Sequence, residues 1–498
     1  MRQRPRDRTG LSRPHRALRR PRGSPARPAR AGLGGVGSVT GGFGVLTVEE
    51  VARATGGRLI RGDPHTPLQS VRTDSRSCGP GALFVALRGP QRDGHEFVGD
   101  AAQRGAAAAL LSRPAEAALA QVHVPDTRQA LLPLAAAWRA RFAVTVVGVT
   151  GSVGKSTTVQ MVAAVLGRRF SVHASQPEWN AELGVPLTVF GLRPEHRYAV
   201  VELAMRGMGQ IAELCRVVQP QVGIVTRVGA AHTEQLGSVE RVAQAKAELV
   251  QALPRDGVAI LNGDDPLVRG MAGRTAARVV LCGTADDCDV RADRVEVAGD
   301  GVRFLVRTGR GSVQGFLPVP SPHFVNNALA AVAAGLQAGV PLEQAVEALR
   351  EFRPPRMRLE VVRAPGDVLV LNDAYNASPL SVEAALEAAR ALRTGRRLVA
   401  VLGEMRELGE LEVPAHREVG RRCAVEGVDL LVAVGQASRE LAQAAVQAGL
   451  ARDRVVWVPD AQAAALELSG RLRAGDVVLV KGSRAVGLER VVEALRQR

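Results

Sequence analysis

From residue 143 onward the chain alternates short apolar runs with longer stretches of helical period. The run 143–149 reads as a buried strand. The segment from Lys155 to Leu166, apolar at Val159, Val162 and Leu166, has the period of a helix that Gly167 stops. Strands are predicted again at 198–203, 222–226 and 258–261, and then at 368–371, 398–402, 430–434, 455–458 and 477–480. Such alternation predicts an α/β fold with mostly parallel sheets covered by helices. Ligands then gather beyond the carboxyl ends of the strands. Ahead of this lies a stretch with a strand-like run at 81–87, a loop at 91–97 (QRDGHEF) and alanine-rich helices. The pattern divides the chain into folded units at 45–137, 138–353 and 354–498, with the first link near Trp138. Ser378 and Pro379 have the residue types of an N-cap and a first helical position.

Composition narrows the class. With 498 residues, 46% hydrophobic and 23% charged, the chain resembles a soluble globular protein of several domains. No apolar run nears the roughly 18 residues of a membrane helix. Its five cysteines (Cys78, Cys215, Cys282, Cys288 and Cys423) include no C-x-x-C pair. That spacing predicts thiols in a reducing cytoplasm, with neither a disulfide framework nor a zinc site. The net charge of +16 points toward nucleic acid until its location is considered. Residues 1–44 hold eleven arginines, no lysine and one aspartate, a net +10, which leaves +6 for the remaining 454. This Arg/Pro/Gly-rich leader lacks the apolar core of a secretory signal and is expected to be disordered. It reads either as a tail touching polyanions or as extra residues ahead of the true start. The domain-like run that begins at Leu46 favours the second, so no specific nucleic-acid partner is expected.

Candidate chemistry starts at residues 150–157, TGSVGKST, set between the first strand and its helix. Gly151 and Gly154 let the backbone approach phosphate, while the N–H groups of Thr150, Ser152 and Val153 belong to the same anion-binding loop. Lys155 reaches the β/γ-phosphates, and the Ser156 hydroxyl, with Thr157 next in the loop, suits Mg²⁺. The first glycine, Gly148, stands one place earlier than the strict P-loop spacing, yet strand, loop and helix are in register for ATP or GTP. Other positions are ambiguous on spacing alone. Glu202, at a strand end, fits a metal ligand or a helix-start acid. His232 fits a ligand or an ordinary histidine, and Lys246, in an Ala-Lys-Ala-Glu helix, fits a solvated lysine. The amides of Asn326 and Asn327 fit a helix cap or a nucleobase contact.

Taken in order, TGSVGKST, VELAMRGMGQI (201–211), VTRVGAAHTEQLGS (225–238), AKAE (245–248), LNGDD (261–265), NDAYNASP (372–379), VLGEMRELG (401–409) and VKGSR (480–484) resemble the Mur ligases. The resemblance covers about residues 45–498. It implies three domains: an N-terminal unit for a UDP precursor, a central P-loop parallel-sheet ATPase domain and a C-terminal Rossmann-like domain. It further implies ATP, two Mg²⁺ ions and a carbamylated Lys246. Lys155, Glu202, His232 and Lys246 take catalytic roles, and metal falls to Ser156, Glu202, His232 and Lys246. Asn327, Arg358 and Asp373 join the phosphate loop around the nucleotide. Asp74, Ser75, Arg76, Asn180, Tyr375, Asn376 and Lys481 are implied for substrate.

NDAYNASP and GEMRELG are similar to stretches of the branch that joins D-Ala-D-Ala to UDP-MurNAc-tripeptide through an acyl phosphate, in bacterial cytoplasmic cell-wall synthesis. A monomer is expected. The sister branch that adds a single diamino acid shares the DSR, GALFVAL and DGHEF pieces of the first unit and is the first rival. A folate-polyglutamate-type ligase and a basic P-loop ATPase on nucleic acid are others. A non-catalytic scaffold would be expected to have lost Lys155, Glu202 or Lys246. The chain departs from the family pattern at Asn180-Ala181, Arg227, the 321–324 stretch SPHF, Asn372 and Ser378.

Overall fold

A computed structural model describes residues 46–298 and 301–497; the basic leader lies outside the described residues. Thr47 Oγ1 accepts the Glu50 N–H at 3.2 Å while Glu50 Oε2 accepts the Thr47 N–H at 2.9 Å, a capping box that starts the helix Val48–Thr55. Beyond it, Ser70–Arg72, Ala82–Val85, Ala106–Leu111 and Ala120–His123 form a parallel sheet, which Arg58–Arg61 closes antiparallel. The run at 81–87 supplies its strand Ala82–Val85, and the QRDGHEF loop ends in a 3-10 turn, Gly94–Phe97. The helix Leu131–Arg139 runs through the expected link near Trp138 because Leu131, Leu134, Ala135 and Trp138 are all buried. Arg139 then ties that helix down, donating to the carbonyls of Val218, Phe142 and Val144 at 3.0–3.1 Å.

The central sheet has nine strands. In spatial order they are Gly311–Leu317, Gly301–Thr308, Val290–Ala298, Arg278–Gly283, Val258–Asn262, Val222–Val225, Thr145–Thr150, Tyr198–Glu202 and Val172–Ala174. The P-loop strand Thr145–Thr150 has a parallel neighbour on each side, Val222–Val225 and Tyr198–Glu202. Three carboxyl ends therefore converge on one edge. The sequence reading lacked the antiparallel meander from Val290 to Leu317. Its signal is a period of two: Val302, Phe304 and Val306 are buried, and the arginines 303 and 307 alternate with them.

The last unit is a six-stranded sheet in the order Glu360–Ala364, Val368–Asp373, Val477–Lys481, Leu398–Gly403, Leu430–Val434, Val455–Val458, parallel except for its first pair. Every residue of Leu398–Gly403, Leu430–Val434 and Val477–Lys481 is buried, as a sheet covered on both faces requires. Ser378 and Pro379 open the helix Pro379–Arg393 as predicted, and the Ser378 N–H donates to Ser381 Oγ at 2.9 Å. One apolar cluster holds both Val162 and Ala328 of the central unit and Ala385, Leu386 and Leu402 of the C-terminal one, so the two units share a core. All five cysteines are free, and burial pushes the Cys215 and Cys423 thiols up to about 12. No helix among the described residues is long and apolar enough to cross a membrane.

Candidate active site

Thr150 ends its strand, and Gly154, at φ +86°, turns the chain into the helix Lys155–Gly167. Glycine is required twice in this turn. A Cβ on Gly151 (φ +152°) would overlap Thr226 Oγ1, and one on Gly154 would come within 2.7 Å of Asn327 Oδ1. The loop is braced from the neighbouring strand end. Ser152 N–H donates to Arg227 O at 2.6 Å, Thr226 Oγ1 to Val153 O at 2.6 Å, and Ser152 Oγ to Gly229 O at 3.1 Å. The helix presents its free N–H groups and its positive dipole end here, which is what phosphate needs. Lys155 curls back, its Nζ donating to Gly151 O at 3.0 Å, and burial lowers its pKa while Glu202 opposes that shift.

Glu202 is 1% exposed and fully engaged: Ser156 Oγ donates to Oε2 at 2.6 Å and Asn180 Nδ2 to Oε1 at 2.9 Å. A hydroxyl and a carboxylate side by side are hard oxygen donors of the kind Mg²⁺ takes, with phosphate and water completing its shell. Among the described residues no three His, Cys, Asp or Glu side chains converge into an all-protein cage. The residues thus fit a nucleotide-bound Mg²⁺ better than a resident structural metal. Lys246 is 2% exposed on the helix Val239–Gln251, not solvated as its composition suggests. Burial, and after it the charge of Lys155, pushes its pKa well down. His232 is lowered too, by burial first, with Glu407 pulling the other way.

A cavity of about 1050 Å³ opens in front of these groups, and the C-terminal unit forms its opposite wall. There Asp373 Oδ2 takes Lys481 Nζ at 2.5 Å while Oδ1 accepts the Leu359 N–H at 3.0 Å. Lys481 Nζ also donates to Asn376 O at 2.8 Å. The Arg358 guanidinium lies 4.0 Å from the centre of the Tyr375 ring. Ser152, Val153, Gly154, Lys155, Thr157, Glu202 and His232 line the central side; Asn180, Asn327, Arg358, Asp373, Tyr375, Asn376 and Lys481 line it as well. Thr150, Gly151, Ser156 and Lys246 support this surface without lining it. Asp74, Ser75 and Arg76 stand apart in the N-terminal unit, where Arg76 pairs with Asp74 at 2.7 Å.

The departures sort by contact. Phe324 packs edge-on to Phe352 and also lines the cavity, while Asn372 Nδ2 donates to Glu360 Oε2 at 2.9 Å, a structural contact. Asn180 orients Glu202. Arg227 lines the cavity and, among the described residues, pairs with no carboxylate or ring; the other cavity arginines (206, 358, 406 and 484) each have such a neighbour. Sequence reasoning missed Glu407, whose Oε2 lies 2.5 Å from His232 Nδ1 across the cavity. Its signals were membership of VLGEMRELG and a place just beyond the strand 398–402.

Fold and cavity together define a three-unit α/β protein that holds a nucleoside triphosphate on a P-loop facing a Rossmann-like domain. The chain belongs to the Mur ligase family: profiles of the Mur ligase middle domain, the Mur ligase glutamate ligase domain and the Mur ligase family catalytic domain match residues 149–335, 357–484 and 67–139. The UDP-N-acetylmuramoyl-tripeptide–D-alanyl-D-alanine ligase of Bacillus subtilis is 34% identical over 454 residues, 90% of this chain and 98% of that one. The structure of MurF from Acinetobacter baumannii superposes with a TM-score of 0.82 at 31% identity, covering 92% of this chain and all of that one. MurF from Thermotoga maritima in complex with ADP gives 0.75 at 28%, covering 86% and 97%.

Proposed function

We infer that the chain uses ATP to join D-Ala-D-Ala to UDP-MurNAc-tripeptide. One observation carries this reading. The cavity sets the P-loop opposite the Asp373–Asn376 loop in a chain whose relatives of that name align over nine-tenths of its length. A carboxylate is a poor electrophile. Transfer of the γ-phosphoryl group onto the tripeptide carboxylate gives an acyl phosphate; the dipeptide amine attacks its carbonyl carbon, and phosphate leaves the tetrahedral intermediate.

Phosphoryl transfer needs positive charge on the equatorial oxygens. Lys155, turned from Gly151 O toward the nucleotide, supplies one such charge, and the helix N-terminus supplies partial ones. Bound Mg²⁺ would add charge neutralisation; Ser156 and Glu202 would hold one ion, and His232 with Lys246 a second. Lys246 suits carbamylation. A buried amine with a lowered pKa is neutral and nucleophilic toward CO2; the N–C bond forms as the amine proton leaves, and the product offers oxygen ligands that an ammonium lacks. Arg358 and Asp373 serve the nucleotide, Asn327 steadies its loop, and Asn180, Tyr375, Asn376 and Lys481 form the substrate side. Asp74, Ser75 and Arg76 take the uridine end.

The test is phosphate release with ATP and Mg²⁺, omitting each substrate in turn, with the product identified by mass. Release needing both, and a UDP-MurNAc-pentapeptide product, is the expected result. Release with a free diamino acid instead of the dipeptide would transfer the chain to the sister branch. Loss of ligation on removing residues 1–44 would revive the leader as a functional element. A ¹³C signal from ¹³CO2, absent in K246A, checks the carbamate.

A further inference from the structure

Two non-glycine residues meet across the cavity with their backbones in the left-handed region: His232 (φ +61°) from the central unit and Glu407 (φ +64°) from the C-terminal one. Each conformation is strained for a residue with a Cβ, and such residues persist where surrounding contacts enforce them. Here those contacts cross between the units. The Glu234 N–H donates to Glu407 O at 3.2 Å, and Thr233 Oγ1 donates to Leu408 O at 3.0 Å. A Cβ on the next glycine, Gly409 (φ +58°), would lie 3.0 Å from Glu234 Cα, so the two backbones are in contact.

The Glu407 carboxylate uses this approach. Its Oε2 lies 2.5 Å from His232 Nδ1 and its Oε1 3.9 Å from Arg206 Nε, so one C-terminal acid spans two central-unit groups. Nδ1 is buried and outside straight hydrogen-bond geometry with Oε2, a close polar contact. Among the described residues the ring's ion pair is made at Nδ1, and His232 lines the cavity. A histidine held at one nitrogen by a carboxylate and open at the other is the arrangement that orients metal- and phosphate-binding imidazoles.

We propose that Glu407 is a positioning residue: docking of the C-terminal unit sets its carboxylate against His232 Nδ1 and fixes the ring with Nε2 facing the phosphate region. The site on the central unit is then complete only while the two units are together. This couples phosphoryl transfer to the arrival of the unit that carries Asp373 and Lys481. It rests on the ligase reading for its activity readout alone.

E407Q removes the charge and keeps the shape. E407G removes the side chain and also relieves the left-handed backbone, so it separates function from stability. E418Q, on an exposed helix face paired with Arg421, is the control for loss of one charge. Both Glu407 variants are expected to lower kcat about 10–100-fold, as loss of a ligand-orienting partner does, with KM and the ATP Kd within about twofold. Mn²⁺ affinity, read by electron paramagnetic resonance with AMP-PCP bound, should fall about tenfold or more. E407G should keep the parent Tm or exceed it, and E418Q should match the parent throughout. A kcat within about twofold of the parent in both variants overturns the proposal, as does a kcat loss matched by weaker ATP binding and a lower Tm. If the parent does not ligate D-Ala-D-Ala, the substrate reading fails separately. Weakened Mn²⁺ binding in E407Q then still supports the positioning role, and unchanged binding overturns it.

Discussion

Lys481 Nζ rests 2.5 Å from Asp373 Oδ2, bridging two parallel strands whose register pairs those same two residues. Burial raises the Asp373 pKa and lowers that of Lys481, while their contact opposes both shifts. Removing one partner strands a buried charge, which typically costs about 3–5 kcal/mol, whereas replacing both is often near neutral. K481M should therefore unfold at markedly lower urea than the parent. D373N/K481M, whose asparagine still accepts the Leu359 N–H, should recover more than half of the loss. A double variant no better than K481M would show that the pair is not what holds these strand ends.

Gly154→Ala is expected to weaken ATP binding selectively. Its φ of +86° and a Cβ 2.7 Å from Asn327 Oδ1 leave no place for a methyl group unless the loop or the Asn327 side chain moves. Left-handed alanine costs about 1–3 kcal/mol, or roughly 5- to 150-fold in Kd if the loop alone yields. Calorimetric titration with ATP measures it. An unchanged Kd would mean that Asn327 swings away freely and does not brace the P-loop.

What was legible follows from sequence distance. The P-loop is a contiguous motif whose strand and helix carry their own periodicities, so its place at the carboxyl end of a parallel strand could be read directly, as could the parallel strands at 430–434 and 455–458. Contacts set by register or docking could not. Nothing near Lys481 in sequence points to Asp373, and nothing near His232 points to Glu407; both pairings exist because separate elements end at one cavity wall. Lys246 looked solvated because its helix is rich in polar residues, yet it sits on the face turned inward with Val242, Ala245 and Leu249. The meander from Val290 to Leu317 carries no motif, and its two-residue alternation lay between stronger signals.

Lys155→Met should preserve the fold and lower kcat by about 10²–10³, the scale of losing one preorganised charge at a developing anion. Lys155 is half-buried near Glu202, so E202Q provides a matched comparison, expected to act through Ser156 and a bound metal rather than through the phosphate directly. Its loss of rate should be relieved in part by raised Mg²⁺, and that of K155M should not. Phosphate release across a Mg²⁺ titration separates the two, and identical Mg²⁺ curves would contradict the division of roles.

The N-terminal unit should show its own acid sensitivity through Asp93. This carboxylate accepts the His95 N–H at 3.0 Å, contacts His95 Nδ1 at 2.6 Å and accepts Arg113 Nη2 at 3.1 Å. The backbone bond from His95, and then its side chain, hold the Asp93 carboxyl well below the usual carboxylate range. A depressed folded-state pKa means that the unfolded chain binds the proton more readily. The stabilisation is thus fully present above about pH 4 and is lost as the pH falls from there through the folded value. Asparagine at this position cannot titrate. The stability gap between parent and D93N should be about 1.5–3 kcal/mol at pH 7, the scale of hydrogen bonds to a charged group, and should narrow steadily below pH 4. Thermal unfolding of both proteins at pH 7, 5 and 3 tests this. A gap that stays constant down to pH 3 would show that Asp93 acts through shape and packing, with its charge contributing nothing.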